Sequence, residues 1–259
     1  MARQIIKNPP PVPPWLQALG EPAAQRLLAW GQAQADQCLS DVFGYHAVQA
    51  GWPGFDALQA NRMPHRWQAQ QEFDAPESVD VSADLCFDSR AWPWAAESLD
   101  LVALPHTLER SADPHACLRE VERVLIPEGQ VFILGIHPWG LWGHRLRRAQ
   151  ARQATEALAP WLLQPIAPHR LRDWLHLLGF EVQVQRFVGW TPAWLDGIGR
   201  RWLPFLGGAY LIVATKRVPG GRLLSGKAWR KVPSRSAVVV PAASIQAPVR
   251  ASANTESPS

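Results

Sequence analysis

Residues 98–135, SLDLVALPHTLERSADPHACLREVERVLIPEGQVFILG, read as strand, turn, amphipathic helix, turn and strand. Leu99–Leu104 is an apolar run of strand length. Asp113 is a residue type that caps helix starts, and Pro114 suits the first helical position, where its missing N–H leaves no bond unmade. Cys117, Leu118, Val121, Val124 and Leu125 recur at helical spacing on one face, with Arg119, Glu120, Glu122 and Arg123 on the other. Pro127-Glu128-Gly129 is expected to end the helix and turn the chain. The stretch QVFILGI (130–136) is apolar throughout, as in a parallel strand covered on both faces. Such a unit predicts an α/β fold with a doubly wound, mostly parallel sheet. Ligands of these sheets bind at the carboxyl ends of the strands, near the point where strand order reverses.

The flanking sequence fits the same plan. Residues 22–40 have helical spacing, with Leu27, Leu28, Ala35 and Leu39 as inward positions. GYHAVQAG (44–51) predicts a buried strand, and residues 52–64 a turn with at most a short helix. HRWQAQ (65–70) predicts a second strand, and VDVSADLCFD (79–88) a third, broken near Asp84. Helices are expected over 144–160 and 169–180, the latter stopped at Gly179. Strands are expected over 181–190 and 209–216. The expected organisation is a Pro-rich segment over 1–20, a folded domain over 21–217 and a disordered basic tail over 218–259.

The net charge of +4 conceals an asymmetry. Residues 216–259 hold eight Lys and Arg against one acid, Glu256, whereas residues 1–215 hold 18 against 21. The body is therefore not a basic nucleic-acid-binding domain, and weak nucleic-acid contact would run through the tail. The three cysteines lack CxxC spacing, which fits reduced thiols in a cytoplasm and no zinc site. The apolar run 203–215 is shorter than the roughly 20 residues a membrane span requires, and the N-terminus lacks a signal core.

Several ordered landmarks then converge: Asp88 after the third strand, Trp92-Pro93-Trp94, Ser98-Leu99-Asp100, His106-Thr107-Leu108-Glu109, Asp113-Pro114, the run from Leu118 to Leu125, and Pro127-Glu128-Gly129. This pattern resembles the class I S-adenosylmethionine-dependent methyltransferases, type 11-like. With PWGLWG after the fifth strand, the chain is also similar to an uncharacterised proteobacterial subgroup of them. The resemblance implies a Rossmann-like sheet of seven strands with an antiparallel last strand. It implies S-adenosylmethionine as cofactor, over Gly51 and Gly54, with Glu72 or Asp74 at the ribose, Asp88 at the adenine and Leu104 at the rim. His106 becomes the candidate catalytic residue. His137, Trp139 and Trp142 become candidates for contact with a small-molecule methyl acceptor. The chain departs from the family's acid-Gly-x-Gly-x-Gly loop: Gln49 stands for the acid, Pro53 for the second glycine and Phe55 for the third.

Methyl transfer from an activated sulfonium needs mainly positioning, so few catalytic side chains are expected. Three functions follow. The first is a methyltransferase with a small-molecule acceptor. The second is a degenerate relative that binds a ligand or partner without turnover. The third is an RNA-associated factor acting through the tail.

Overall fold

A computed structural model of the chain describes residues 12–52, 54–71, 84–153, 163–188 and 207–217. In chain order the elements are α1 (Pro14–Ala18), α2 (Glu21–Leu39), β1 (His46–Ala50), β2 (His65–Gln71), β3 (Leu85–Phe87), β4 (Leu99–Pro105), α3 (Pro114–Val124), β5 (Leu125–Ile136), α4 (Leu141–Gln153), α5 (Pro168–Leu177), β6 (Phe180–Val188) and β7 (Ala209–Lys216). The strands form one seven-stranded sheet in the order β3-β2-β1-β4-β5-β7-β6. Pairing is parallel from β3 to β5, and β7 runs antiparallel between β5 and β6. The strand order reverses between β1 and β4, so their carboxyl ends flank the crevice where such sheets bind ligands.

Alternation along each strand divides the core. Val48, Leu104, Val131, Ile133 and Ile212 face Leu118 and Val121 of α3 and Leu171 and Leu175 of α5. Ala47, Leu101, Phe132 and Leu134 face Ala35 and Leu39 of α2. The inward residues of α2 are Ala23, Leu27, Gly31, Ala35 and Leu39, four apart, so one line of small and aliphatic side chains lies on the sheet. A third cluster sits where Ile136 ends β5, and joins Trp15 and Leu16 of α1 to Trp142 and Leu146 of α4.

Three sequence expectations need correction. The segment expected to lie outside the domain at 1–20 contributes α1, with Trp15, Leu16 and Leu19 each only 1% exposed. Its apolar residues outweigh the prolines around them, and Pro14 takes the helix start that proline favours. Pro127-Glu128-Gly129 does not separate helix from strand. The helix ends at Val124, Leu125 is already extended, and the tripeptide forms a bulge inside β5, with Leu99 opposite Leu125 and Leu101 opposite Gln130. Glu128 adopts φ +65° there. Helix α4 begins at Leu141, three residues earlier than expected. Residues 154–160, the end of that expected helix, lie outside the described residues, as does the tail over 218–259. Among the described residues, no helix is long and apolar enough to cross a membrane.

Candidate active site

The rim of β4 is built by the turn that follows Pro105. His106 adopts φ +58°, a left-handed backbone that costs a histidine roughly 1–3 kcal/mol and persists only where its surroundings enforce it. Three contacts enforce it here. The His106 N–H donates to the Leu134 carbonyl of β5 (3.0 Å). Its Nδ1 lies 3.1 Å from Oε2 of Glu109. Its ring packs on the indole of Trp15 at 4.9 Å between centroids. His106 and Glu109 are both buried. The other Glu109 oxygen accepts the Ile136 N–H (2.5 Å), so one carboxyl ties the β4 turn to the end of β5. Burial raises the Glu109 pKa, against the pull of the hydrogen bonds from His106 and Ile136. Tyr210 on β7 also faces this carboxyl; burial foremost, and then Glu109, push its phenol far above the usual range. With Nδ1–H directed at the carboxylate, Nε2 of His106 is left as a lone-pair acceptor.

Across the crevice, Gly51 closes β1 with φ +142°. A Cβ there would meet Thr107 Oγ1 at 2.7 Å and the Pro105 carbonyl at 2.9 Å, so only glycine lets the two turns touch. The Thr107 hydroxyl donates to the Ala50 carbonyl and fastens them. The loop beyond Gly51 is tied by Gln49. Its amide Nε2 donates to the Phe55 carbonyl, and its Oε1 accepts the Ala57 N–H (2.6 Å). Gln49 is buried and both ends of its amide are occupied within the loop. Gly54 is not open to a ligand, because the Trp52 indole lies where its Cβ would be, at 2.2 Å.

At the end of β3, the Asp88 carboxylate accepts the Arg90 backbone N–H (2.9 Å) and pairs with its guanidinium at 3.4 Å. These contacts, the backbone bond foremost, hold its pKa below the ordinary value. The Ser89 hydroxyl accepts a bond from Ser111 (3.0 Å), which links this loop to the turn after β4. The Trp92-Pro93-Trp94 segment is clamped by α3: Glu120 accepts the Trp92 N–H (2.9 Å), and Arg123 donates to its carbonyl (3.1 Å) and to Glu120 (2.8 Å). The Glu-x-x-Arg spacing of the helix thus places the loop that carries Asp88.

The expected residues distribute unevenly around this crevice. Gly51 and His106 sit at the carboxyl ends of the adjacent strands β1 and β4, and Asp88 sits at the same end of the sheet after β3, with β2 between β3 and β1. Leu104, expected at the rim, is fully buried in the sheet core, where alternation turns it toward α3. Trp142, expected to face an acceptor, is fully buried against Gly208, whose missing side chain admits its ring. His137 is buried at the end of β5, and its Nδ1 accepts the Trp139 N–H (3.3 Å). Burial, then the nearby His169, lower its pKa to about 4. Trp139 is 59% exposed and stacks on His169 at 5.6 Å. Glu72 and Asp74 lie outside the described residues. Asp100, at the amino end of β4, accepts the N–H groups of Tyr45 and His46 (2.9 Å each) and is structural.

Sequence reasoning missed Glu109 as a site residue, although its spacing of three from His106 within a turn was a usable signal. It also missed Trp15, Trp52 and the tie made by Gln49, for which a linear pattern carries no signal.

Comparison with known proteins bears on the family and the fold. The family model for a methyltransferase domain matches residues 60–133. The uncharacterised protein YafS of Escherichia coli K12 is 37% identical over 201 residues, covering 73% of this chain and 79% of YafS. Two solved structures share the fold. An S-adenosylmethionine-dependent methyltransferase from Thermotoga maritima has a TM-score of 0.53 at 17% identity, covering 78% of this chain and 93% of its own. Another from Archaeoglobus fulgidus has a TM-score of 0.53 at 15% identity, covering 73% and 94%.

Proposed function

This chain belongs to the class I S-adenosylmethionine-dependent methyltransferase family, and on that premise we propose that it methylates a small-molecule acceptor at the rim of β4. The observation that carries the reading is the buried His106–Glu109 pair beside the strand-order reversal, with Gly51 kept opposite it. When bound, S-adenosylmethionine supplies a methyl group already activated on sulfur. The chain's own residues then hold, orient and deprotonate.

The fit to that cofactor is good at the adenine half. Asp88 retains lone pairs beyond those used by Arg90 and can accept from an exocyclic amine. Glu72 is the proposed partner of the ribose hydroxyls. The methionine half departs from the family plan, because Gln49 is neutral and engaged and Trp52 covers Gly54. Its support falls to the Gly51 turn and the segment from Pro105 to Thr107. At the acceptor end, Nε2 of His106 takes the acceptor's proton, while Glu109 fixes the tautomer. Trp139, exposed beyond the buried His137, is the residue that can cover a planar acceptor at the outer side of the rim.

Calorimetry with S-adenosylmethionine tests the reading. Saturable binding is expected, and Asp88→Ala should weaken it by about tenfold or more, the scale of one charge-assisted hydrogen bond. No heat at millimolar cofactor overturns the proposal. His106→Asn, which tolerates the left-handed backbone, should leave cofactor affinity within a few-fold and slow methyl transfer by roughly 10²–10⁴. The engaged Gln49 and the covered Gly54 favour one second reading, a ligand-binding member without turnover. Saturable binding with no transfer to any extracted metabolite would select it.

A further inference from the structure

Helix α4 lies across the carboxyl end of the sheet. It starts at Leu141, shortly after β5 ends at Ile136. Toward its other end, the Gln150 amide donates to the Leu163 carbonyl (2.8 Å). The next residue, Gln164, donates its N–H to the Glu109 carbonyl in the turn after β4 (2.7 Å). Both ends of the helix are thus held at the same rim. Trp142 and Leu146 face inward, in the cluster with Ile136 and Trp15. The opposite face, made by Leu141, His144, Arg145, Arg147 and Arg148, is exposed.

That face is cationic on a body that is not. Leu141–Gln153 contains no acid, and the first turn of α5 contains none either. Residues 1–215, in contrast, hold 21 acids against 18 Lys and Arg. His169 and Arg170, both exposed, extend the patch from α5, because His169 stacks on Trp139 just ahead of α4. Arg90, Arg123 and Arg186 are each bonded to other side chains. Arg147 and Arg148 have no hydrogen-bonding or ionic partner among the described residues. Two exposed apolar side chains, Trp139 and Leu141, border these arginines.

We propose that this face docks on an anionic lipid bilayer, with the arginines at the phosphate headgroups and with Leu141 and the outer edge of Trp139 in the interfacial layer. Charge complementarity selects an anionic partner, since each arginine near such a surface strengthens binding by about fivefold. The apolar pair selects a bilayer over a nucleic acid. A leucine gains nothing from phosphates in water, whereas tryptophan is favoured at the boundary of lipid and water. One face of the Trp139 ring is also taken by His169, at 5.6 Å and 16°. Trp142 and Leu146 are committed to the protein core, so only the turn at Leu141 enters the interface. Binding is therefore reversible and sensitive to salt. Docking in this way turns the carboxyl rim of the sheet toward the bilayer. The inference rests on α4 and its surroundings, not on the methyltransferase reading.

Co-sedimentation of the full chain with vesicles tests this. Vesicles of phosphatidylglycerol and phosphatidylcholine in equal parts should bind the chain. Vesicles of phosphatidylcholine alone should bind it about tenfold more weakly or less, and salt at about 0.5 M should release it. Arg147→Gln combined with Arg148→Gln should weaken binding to the anionic vesicles by about tenfold or more. Leu141→Gln should weaken it by about threefold. These side chains are exposed, and urea midpoints equal to the parent's show that the variants fold. The proposal is overturned if anionic vesicles do not bind, or if both kinds of vesicle bind alike. It is overturned if the arginine variant binds as tightly as the parent, which would assign the attraction to the basic residues of 218–259. An unchanged Leu141→Gln would overturn the seating of the helix in the interface. An RNA oligonucleotide held through Arg147 and Arg148, and not displaced by anionic vesicles, would make the partner a nucleic acid instead. Vesicle binding is read without cofactor, so its failure leaves the methyltransferase reading standing, and the converse holds for calorimetry with S-adenosylmethionine.

Discussion

Glu109 and His137 are buried titratable side chains at neighbouring strand ends, and they impose opposite pH dependences. Burial raises the Glu109 pKa above its unfolded value of 4.5. Above that value the unfolded chain has released a proton that the native state retains, so unfolding gains. Stability from this site is therefore full below pH 4.5 and declines as pH rises toward the native value. Glu109→Gln should remove that decline in denaturant titrations run from pH 4 to 9, while slowing methyl transfer at pH 8 by about tenfold or more. A purely structural Glu109 would alter the first readout and spare the second. His137 behaves in reverse: its pKa falls from 6.5 to about 4 in the native state. Its contribution is full above pH 6.5 and is lost as pH falls toward 4, by about 3 kcal/mol at roughly 1.4 kcal/mol per unit. His137→Asn should flatten that acid limb, and an unchanged limb would assign the acid sensitivity elsewhere.

At the scale of elements, the junction of α3 and β5 has the least expected construction. No residues separate helix from strand, so the last carbonyls of the helix need a partner. Lys216, the last residue of β7, provides it. Its buried ammonium donates to the carbonyls of Glu122 (2.6 Å) and Leu125 (3.0 Å) and pairs with the Glu122 carboxylate at 2.9 Å. One side chain thus closes a helix, starts a strand and anchors the end of the sheet. Lys216→Met keeps the stem volume and removes the donor that the Glu122 and Leu125 carbonyls share. The expected loss is about 2–4 kcal/mol by urea denaturation. A loss under 0.5 kcal/mol would show that water replaces the ammonium at no cost. The same junction matters for the site, since α3 holds the Trp92 loop through Glu120 and Arg123, and that loop follows Asp88.

At the scale of the molecule, the carboxyl end of the sheet is closed by helices far apart in the sequence, α1 before the first strand and α4 after the fifth. Trp15 from α1 and Trp142 from α4 share one cluster with Ile136, and Trp15 also lies on His106. Folding and site geometry are therefore coupled through the N-terminal segment. Trp15→Ala should lower stability by about 3–5 kcal/mol, as expected for deleting a buried indole. It should also raise the mobility of His106, seen as broadened imidazole resonances. Stability lost with His106 unchanged would separate the two roles.

The sequence by itself determined the plan of this protein. Periodicity of two and of three and a half residues, the Asp113-Pro114 helix start and the Gly51 turn are local signals. They sufficed for the order of elements, the class of sheet and the placing of Gly51, Asp88 and His106 at carboxyl ends of its strands. Only the tertiary structure decided what those ends contain. It buried Leu104 and Trp142, brought Trp15 onto His106, engaged Gln49 within its loop and set Glu109 between His106 and Ile136. The reason is physical. Alternation along a chain records which face of an element avoids water, whereas the identity of the neighbour on that face depends on packing between segments far apart in sequence. A site assembled from α1, the β1 loop and the ends of β4 and β5 is such a packing result.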